Sequence, residues 1–198
     1  MIKLFIFDMG GVLARNVNVL PEAAARLGIG REELILLVEE DLDPLMSGTM
    51  TVSDFWERFT AKSGIPVKGE PWEELFRPEY DYSTEDLISR LKKLSFRVVC
   101  GTNTMEEHFK IHMEGGDYDV FDRVYASHRM GVAKPSEDFY RKILVEEGVS
   151  PEEALFIDDF PENVEAARSV GIKSFLFTDA GALEEELVSA GIIETVPK

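Results

Sequence analysis

Short apolar runs and amphipathic segments alternate along most of the chain. The run at residues 3–7 is apolar and aromatic and is followed by two glycines, which predicts a buried strand. After about residue 84, predicted helices alternate with further short apolar runs. These runs predict strands at 96–100, 123–126, 154–157 and 174–177. Because buried strands that alternate with helices form parallel sheets, we expect an α/β protein with a doubly wound parallel sheet.

The segment at residues 15–82 follows a different pattern, with three predicted helices and no predicted strand. These helices are predicted at 20–27, 31–39 and 52–62. Five predicted helices of the chain end in a glycine followed by an apolar residue, a sequence typical of a left-handed helix end. The glycines are Gly28, Gly64, Gly148, Gly171 and Gly191. We therefore expect a core of residues 1–14 and 83–198 that is interrupted by a small helical insertion of residues 15–82.

Composition and charge restrict the partners of the protein. A length of 198 residues suffices for one domain with an insertion, and 44% hydrophobic residues are typical of a folded chain. The net charge of −17 argues against non-specific binding of nucleic acid and against a basic membrane-binding surface. The sequence has no run of about 18 apolar residues, and Cys100 is its single cysteine. We expect a cytoplasmic protein, monomeric or homodimeric, without nucleic-acid or membrane partners.

Polar side chains follow four of the predicted strands. They are Asp8 after the first strand, Thr102 and Asn103 after the second, Lys134 beyond the third, and Asp158 and Asp159 after the fourth. In an open parallel sheet, ligands bind beyond the carboxyl ends of the strands, so we expect these side chains at one edge. Three carboxylates at one edge repel one another and require a cation. Because the ligands are hard oxygen atoms, the expected cation is Mg²⁺.

The other groups of this set suit a phosphate ligand. Thr102 can donate a hydrogen bond from its hydroxyl group and Asn103 from its amide group. Lys134 supplies a local positive charge, which an anionic ligand needs in a chain with a net charge of −17. Asp8 is then left for nucleophilic attack, as carboxylates do when aspartyl phosphates form. We therefore expect the protein to act on a small phosphorylated metabolite.

The order of these motifs resembles that of the haloacid dehalogenase-like (HAD) hydrolase superfamily. The motifs are Phe-Asp8-Met-Gly-Gly-Val12, Thr102-Asn103, Lys134-Pro135 and Ile157-Asp158-Asp159. The resemblance implies a Rossmann-like core, a helical cap of subfamily I, and Mg²⁺-dependent hydrolysis of a phosphomonoester through an aspartyl-phosphate. It implies that the metal ligands are Asp8, the carbonyl group of Gly10, Asp158 and Asp159. Within the superfamily, the first motif is most similar to the branch of the sugar-1-phosphate phosphatases.

Gly10 departs from the family pattern, because most phosphatases of the family carry a second Asp there. Loss of a general acid and base typically lowers the rate by about 10²–10⁴-fold. A substrate with a good leaving group, such as a sugar 1-phosphate or an aryl phosphate, would tolerate this loss. Two alternatives stay open: a non-catalytic binding or interaction protein on the same fold, and a 2-haloacid dehalogenase. Dehalogenases of the superfamily also lack the second Asp, but they do not keep paired acids such as Asp158-Asp159.

The remaining candidates are histidines and cap residues. His108 and His112 are four residues apart and could bind a metal, but we expect them on a solvated helix face. His128 could replace the missing acid at position 10, although a surface or structural role is the stronger expectation. Residues 16–18 and 41–50 are candidates for substrate selection.

Overall fold

The computed structural model of the protein describes residues 1–194. In chain order, its elements are β1 (Leu4–Phe7), β2 (Ala14–Arg15), α1 (Leu20–Leu27), α2 (Arg31–Met46), α3 (Val52–Ser63), α4 (Pro71–Leu75), β3 (Glu79–Tyr80), α5 (Tyr82–Lys93), β4 (Arg97–Thr102), α6 (Glu106–Gly115), β5 (Arg123–Ala126), α7 (Ser127–Met130), α8 (Glu137–Glu147), a 3₁₀ turn (Pro151–Glu153), β6 (Ala154–Asp158), α9 (Pro161–Ser169), β7 (Lys173–Leu176) and α10 (Ala180–Ser189). None of these helices is long and apolar enough to cross a membrane.

Five strands form one parallel sheet in the order β5-β4-β1-β6-β7. Strand β1 lies at its centre, where Phe7 is in register with Cys100 of β4 and Ile157 of β6. All four residues of β1 are buried because helices cover both faces of the sheet. Helices α5, α6 and α10 contribute to the hydrophobic cluster on one face, and α8 and α9 contribute to the cluster on the other. The predicted α/β fold with a doubly wound parallel sheet is confirmed.

Helices α1 to α4 have a hydrophobic cluster of their own, which includes aromatic residues of α3 and α4. Phe55 and Trp56 pack edge to face, and both rings contact the indole of Trp72. The two-stranded antiparallel ribbon of β2 and β3 pairs Ala14 with Tyr80, so the chain enters and leaves this helical segment at adjacent points. No strand was predicted at β2 or β3, because two-residue strands are too short to show a hydrophobic period.

The predicted helix ends are confirmed at all five glycines, each of which has a positive φ between 66° and 91°. The prediction that the second helix ends at residue 39 is wrong, since α2 continues to Met46 and includes Pro44. Two strands extend further than predicted, so that Thr102 is the last residue of β4 and Asp158 the last residue of β6. The backbone at both residues is therefore held by the pairing of the strands.

Candidate active site

The carboxyl ends of the three neighbouring strands β4, β1 and β6 bring the predicted site residues together. Asp8 directly follows β1, and Lys134 lies in the loop between α7 and α8. The Lys134 Nζ atom lies 2.7 Å from Asp8 Oδ1 and 2.7 Å from Asp158 Oδ2. All three side chains are buried. Residues far apart in the sequence thus form one buried ionic cluster.

Carboxylates outnumber cations in this cluster. One carboxylate oxygen each from Asp8, Asp158 and Asp159 lies within 4.8 Å of the others, with Lys134 as their adjacent ammonium group. Burial raises the pKa of Asp8 to about 7; the charge of Lys134 opposes this shift and the charge of Asp158 adds to it. Burial and the charge of Asp158 also raise the pKa of Asp159. The cluster is therefore short of positive charge.

Lys134 stays a cation in this environment. Burial by itself would lower its pKa, but the charges of Asp8 and Asp158 outweigh burial and raise the pKa above its ordinary value. The side chain of Asn103 holds the backbone of this lysine with two hydrogen bonds: its Nδ2 donates to the carbonyl oxygen of Lys134, and its Oδ1 accepts from the Lys134 N–H, each at 2.8 Å. Asn103 thus positions the lysine, while its predicted contact with phosphate stays a prediction.

Both carboxylate oxygens of Asp158 are engaged by neighbouring groups, and Oδ2 accepts from Lys134 Nζ. Its Oδ1 accepts from the Phe160 N–H at 2.8 Å, and both its oxygens accept from Asn163 Nδ2 at 3.0 and 3.1 Å. Asn163 is a site residue that our sequence analysis did not identify. A signal was present, because an Asn in the first turn of the helix after two acids can reach back to the strand end. The backbone carbonyl oxygen of Asn163 accepts a hydrogen bond from the hydroxyl group of Tyr140 at 2.8 Å.

Asp159 has an unused carboxylate oxygen. Within the described part of the chain, its buried Oδ1 has no hydrogen-bond partner, and Asp8 Oδ1 has only its ion pair with Lys134. Gly11 makes the close approach possible: with φ of +75°, an added Cβ at this position would lie 2.0 Å from Asp159 Oδ2. A buried, unpaired carboxylate oxygen next to further carboxylates suits a hard divalent cation such as Mg²⁺. The residues present therefore fit the predicted metal.

A cavity of about 540 Å³ opens above the cluster. Of the predicted site residues, it is lined by Asp8, Gly10, Thr102, Asn103, Lys134 and Asp159. Asp158 does not line it and lies fully buried behind Lys134. Thr102 is buried at the end of β4, where its hydroxyl group makes a long contact of 3.5 Å with the carbonyl oxygen of Asn103. It lines the cavity, and its predicted contact with phosphate stays a prediction.

A family model of haloacid dehalogenase-like hydrolases matches residues 2–171. The chain belongs to the HAD-like hydrolases. It is 29% identical over 194 residues to the sesquiterpene phosphatase astK of Aspergillus oryzae, with 93% of this chain and 94% of the relative covered. It is 30% identical over 197 residues to the drimenol cyclase drtB of Aspergillus calidoustus, where the match covers 96% of this chain but only 36% of the relative.

Solved structures of HAD enzymes share the fold. A HAD family enzyme from Bacteroides thetaiotaomicron, in complex with magnesium and inorganic phosphate, superposes with a TM-score of 0.75 at 23% identity. The alignment covers 90% of this chain and 95% of that one. At this level of identity, the comparison establishes the common fold. It agrees with the parallel five-stranded sheet described above.

Position 10 is a glycine, where the resemblance to the family implies a second Asp in most of its phosphatases. The conformation of Gly10 is not one that favours glycine, so the backbone would accept a side chain. Space is the restriction, because an added Cβ would lie 3.2 Å from Cγ2 of Val17. The isopropyl group of Val17 occupies the region next to the position from which an acid would act. Position 10 thus provides no general acid, and the side chain that lies next to it is apolar.

The prediction of a solvated face for His108 and His112 is wrong. Both are buried, because α6 packs against the segment around α4. His108 stacks on Phe76 at a centroid distance of 3.8 Å and contacts the carbonyl oxygen of Trp72 through Nε2 at 3.1 Å. The His112 Nδ1 contacts Asp117 Oδ2 at 2.7 Å. The two histidines line the cavity and do not form a metal site of their own.

The other candidate residues divide between the cavity and the scaffold. His128 does not line the cavity, and its Nε2 lies 2.9 Å from Glu106 Oε2.

The two segments predicted to select the substrate both reach the cavity, which is lined by Val17, Asn18, Leu42 and Met46. Asp41, at the start of the second segment, is instead held by Arg58 and Lys62. Both segments therefore contribute to the cavity wall, mainly through apolar side chains.

Proposed function

We propose that the protein is a Mg²⁺-dependent phosphatase that hydrolyses a small phosphomonoester through an aspartyl-phosphate on Asp8. The observation that carries this proposal is the excess of buried carboxylates, with an unpaired oxygen of Asp159 next to Asp8 and Lys134. A purely structural cluster would have its charges balanced, since unpaired buried charge is costly. Three carboxylates and one ammonium group leave an excess of negative charge, which a bound divalent cation balances.

In the proposed reaction, the carboxylate of Asp8 attacks phosphorus, and the bond from phosphorus to the ester oxygen breaks. Lys134, held by Asn103, orients Asp8 and neutralises negative charge on the transferred phosphoryl group. The hydroxyl group of Thr102 donates to a phosphoryl oxygen. Water then hydrolyses the aspartyl-phosphate and releases phosphate.

Asp8, Asp159 and the carbonyl group of Gly10 are the proposed ligands of Mg²⁺, which supplies charge neutralisation when bound. Asp158 acts on the metal through water or through its hold on Lys134, because its oxygens already accept four hydrogen bonds or ion-pair contacts. In this scheme, Asn163 keeps Asp158 in place. The side chain that is absent at position 10 leaves the departing oxygen to take its proton from solvent.

Residues 15–82 form the cap in this proposal, and they close over a core of residues 1–14 and 83–198, of which 195–198 lie outside the described residues. The cap supplies Leu42 and Met46 to the cavity wall, so it both excludes water and contacts the organic group of the substrate. Because Gly10 cannot protonate the leaving group, the substrate needs a leaving group that departs without a general acid. Sugar 1-phosphates and aryl phosphates meet this requirement, and a relative that is named a phosphatase of sesquiterpenes supports a small organic phosphoester.

The test is hydrolysis of 4-nitrophenyl phosphate with Mg²⁺, with EDTA, and by Asp8→Asn. We expect EDTA to abolish turnover and Asp8→Asn to lower kcat by more than about a thousandfold, because the nucleophile is lost. The control is Asp43→Asn, an exposed aspartate of α2, which keeps wild-type turnover.

Three outcomes contradict the proposal. Equal activity of wild type and Asp8→Asn shows that Asp8 is not the nucleophile. Tight binding of phosphate esters without any turnover indicates the binding protein. Metal-independent release of chloride from 2-chloropropionate indicates the dehalogenase.

A further inference from the structure

The wall of the cavity differs in chemistry from its floor. The floor is the ionic cluster around Asp8 and Lys134, whereas the wall is built mostly from apolar side chains of the cap and of neighbouring loops. We propose that the substrate carries an apolar organic group, which this wall binds while the phosphoryl group lies on the floor. This inference rests on the proposed phosphatase function and names the substrate class for the same site.

The apolar wall comes from several independent elements. Leu42 and Met46 are four residues apart on α2, so they lie on one face of that helix, and both are only half-buried. Leu20 of α1 lines the cavity on a further side. Trp72 of α4 and Phe76 directly after it add two aromatic rings. A cavity of about 540 Å³ lies within the usual range for small organic ligands.

The apolar surface continues up to the nucleophile. Val17 lines the cavity with its Cγ2 next to Gly10, two residues from Asp8. The first atoms of the organic group beyond the phosphoryl oxygen therefore meet a methyl group rather than a hydrogen-bond donor or acceptor. A polar group at that point of the substrate would lose water without gaining a partner.

Most polar groups of the wall are already bound to the protein. His108 uses Nε2 for the carbonyl oxygen of Trp72, and His112 uses Nδ1 for Asp117. Among the described residues, two cavity-lining groups are exceptions, because the hydroxyl group of Tyr118 and the Nε1 atom of Trp72 are buried and have no hydrogen-bond partner. These two donors can serve two acceptors of a ligand. They cannot serve all of the four or so hydroxyl groups of a hexose, each of which weakens binding by about 5- to 100-fold when buried without a partner.

The test uses a homologous series of 4-alkylphenyl phosphates, from methyl to hexyl. The phenol leaving group stays almost constant along the series, so differences in kcat/KM report contacts of the alkyl chain. We expect kcat/KM to rise about fourfold per added methylene until the cavity is full. Glucose 1-phosphate is compared by its Kd for Asp8→Asn in calorimetry, and we expect it to bind at least about tenfold more weakly than 4-butylphenyl phosphate.

Two variants locate the effect on α2. Leu42→Gln and Met46→Gln replace apolar side chains of the wall with a polar one of similar size. We expect either variant to reduce the increase per methylene to less than twofold. Leu36→Gln is the matched control, because Leu36 lies on the same helix, is 72% exposed and does not line the cavity. It keeps the wild-type series.

The outcomes separate this inference from the proposed function. If phenyl phosphate is hydrolysed by the wild type and not by Asp8→Asn, but the alkyl series is flat, the phosphatase stands and the apolar substrate is wrong. If no ester is hydrolysed, the phosphatase is wrong, and the Kd values of the same series for the wild-type protein decide the inference. Values that fall with chain length then support an apolar ligand, and values that do not change overturn it.

Discussion

Two buried clusters of charge in this protein are built in opposite ways. In the helical segment, Asp41 is 2% exposed and has one cation on each oxygen: Arg58 at 2.5 Å from Oδ1 and Lys62 at 2.8 Å from Oδ2. At the strand ends, Lys134 is the cation next to three carboxylates. Hydrogen bonds from Lys62 and Arg58 outweigh burial and lower the pKa of Asp41, whereas burial raises the pKa of Asp8.

The difference separates a cluster that stabilises the fold from one that is arranged for a ligand. Arg58 and Lys62 keep 58% and 36% of their side chains exposed, so their charges remain hydrated while they bind Asp41. Lys134 is buried together with the carboxylates. A buried excess of one charge sign destabilises a protein unless something else compensates it. The cluster at Asp8 therefore keeps an electrostatic cost that a bound cation removes.

The same substitution in both clusters gives the largest expected difference. Lys134→Met leaves the buried carboxylates without their cation, and we expect it to lower the free energy of unfolding by about 3–5 kcal/mol. Lys62→Met leaves Asp41 paired with Arg58, and we expect a loss of about 1 kcal/mol. Urea unfolding without divalent cations measures both. Equal losses would show that the two clusters are not different in kind.

Binding of Mg²⁺ tests the same difference between the two clusters by adding positive charge. At a Mg²⁺ concentration of 100 times its Kd, we expect the free energy of unfolding to rise by about 2.7 kcal/mol, because the ion binds only the folded site. Asp159→Asn removes the unpaired oxygen and with it most of this gain. Asp41→Asn is the control that keeps the gain, since its cluster is already neutralised. Stabilisation that persists in Asp159→Asn would place the metal elsewhere.

The smallest expected effect concerns His108, a buried base whose ring forms no ion pair with any residue that the structure describes. Burial lowers its pKa from 6.5 to about 4, so between these values the unfolded chain binds a proton that the folded chain does not. Stability is therefore lost as pH falls, and this histidine accounts for about 2 kcal/mol between pH 7 and pH 5. His108→Gln should lose correspondingly less over that range in thermal or urea unfolding. Identical pH slopes for the two proteins would contradict this prediction.

The sheet was predictable from the sequence because its strands are buried on both faces. Such strands appear as short continuous apolar runs, and the glycines after helices mark where most of the flanking helices end. The extension of β4 to Thr102 was not predictable in this way. Gly101 interrupts the apolar run, yet the strand continues, since Ile6 and Phe139 pack directly over the glycine. The hydrophobic pattern ends before the hydrogen bonding does.

The residues of the site cluster were predictable from the sequence, but the contacts and role of each residue were not. Motif order indicated that Asp8, Lys134 and Asp159 meet at one edge of the sheet. Asn103 holds the backbone of Lys134, and the two residues are 31 positions apart in the sequence. No local pattern indicates this contact. The burial of His108 likewise depends on Phe76, more than 30 residues away. Local patterns describe one face of one helix, and they contain no information about what will cover it.

The packing at Gly10 also bears on how such a protein could change during evolution. Nothing in the backbone at this position prevents a larger residue; the obstacle is one methyl group of Val17 at 3.2 Å. Gly11, one step further, is different, because any side chain there would collide with the carboxylate of Asp159. A side chain at position 10 therefore requires Val17 to shift by only a few tenths of an ångström or to be shortened, whereas one at position 11 requires the carboxylate of Asp159 to leave its place.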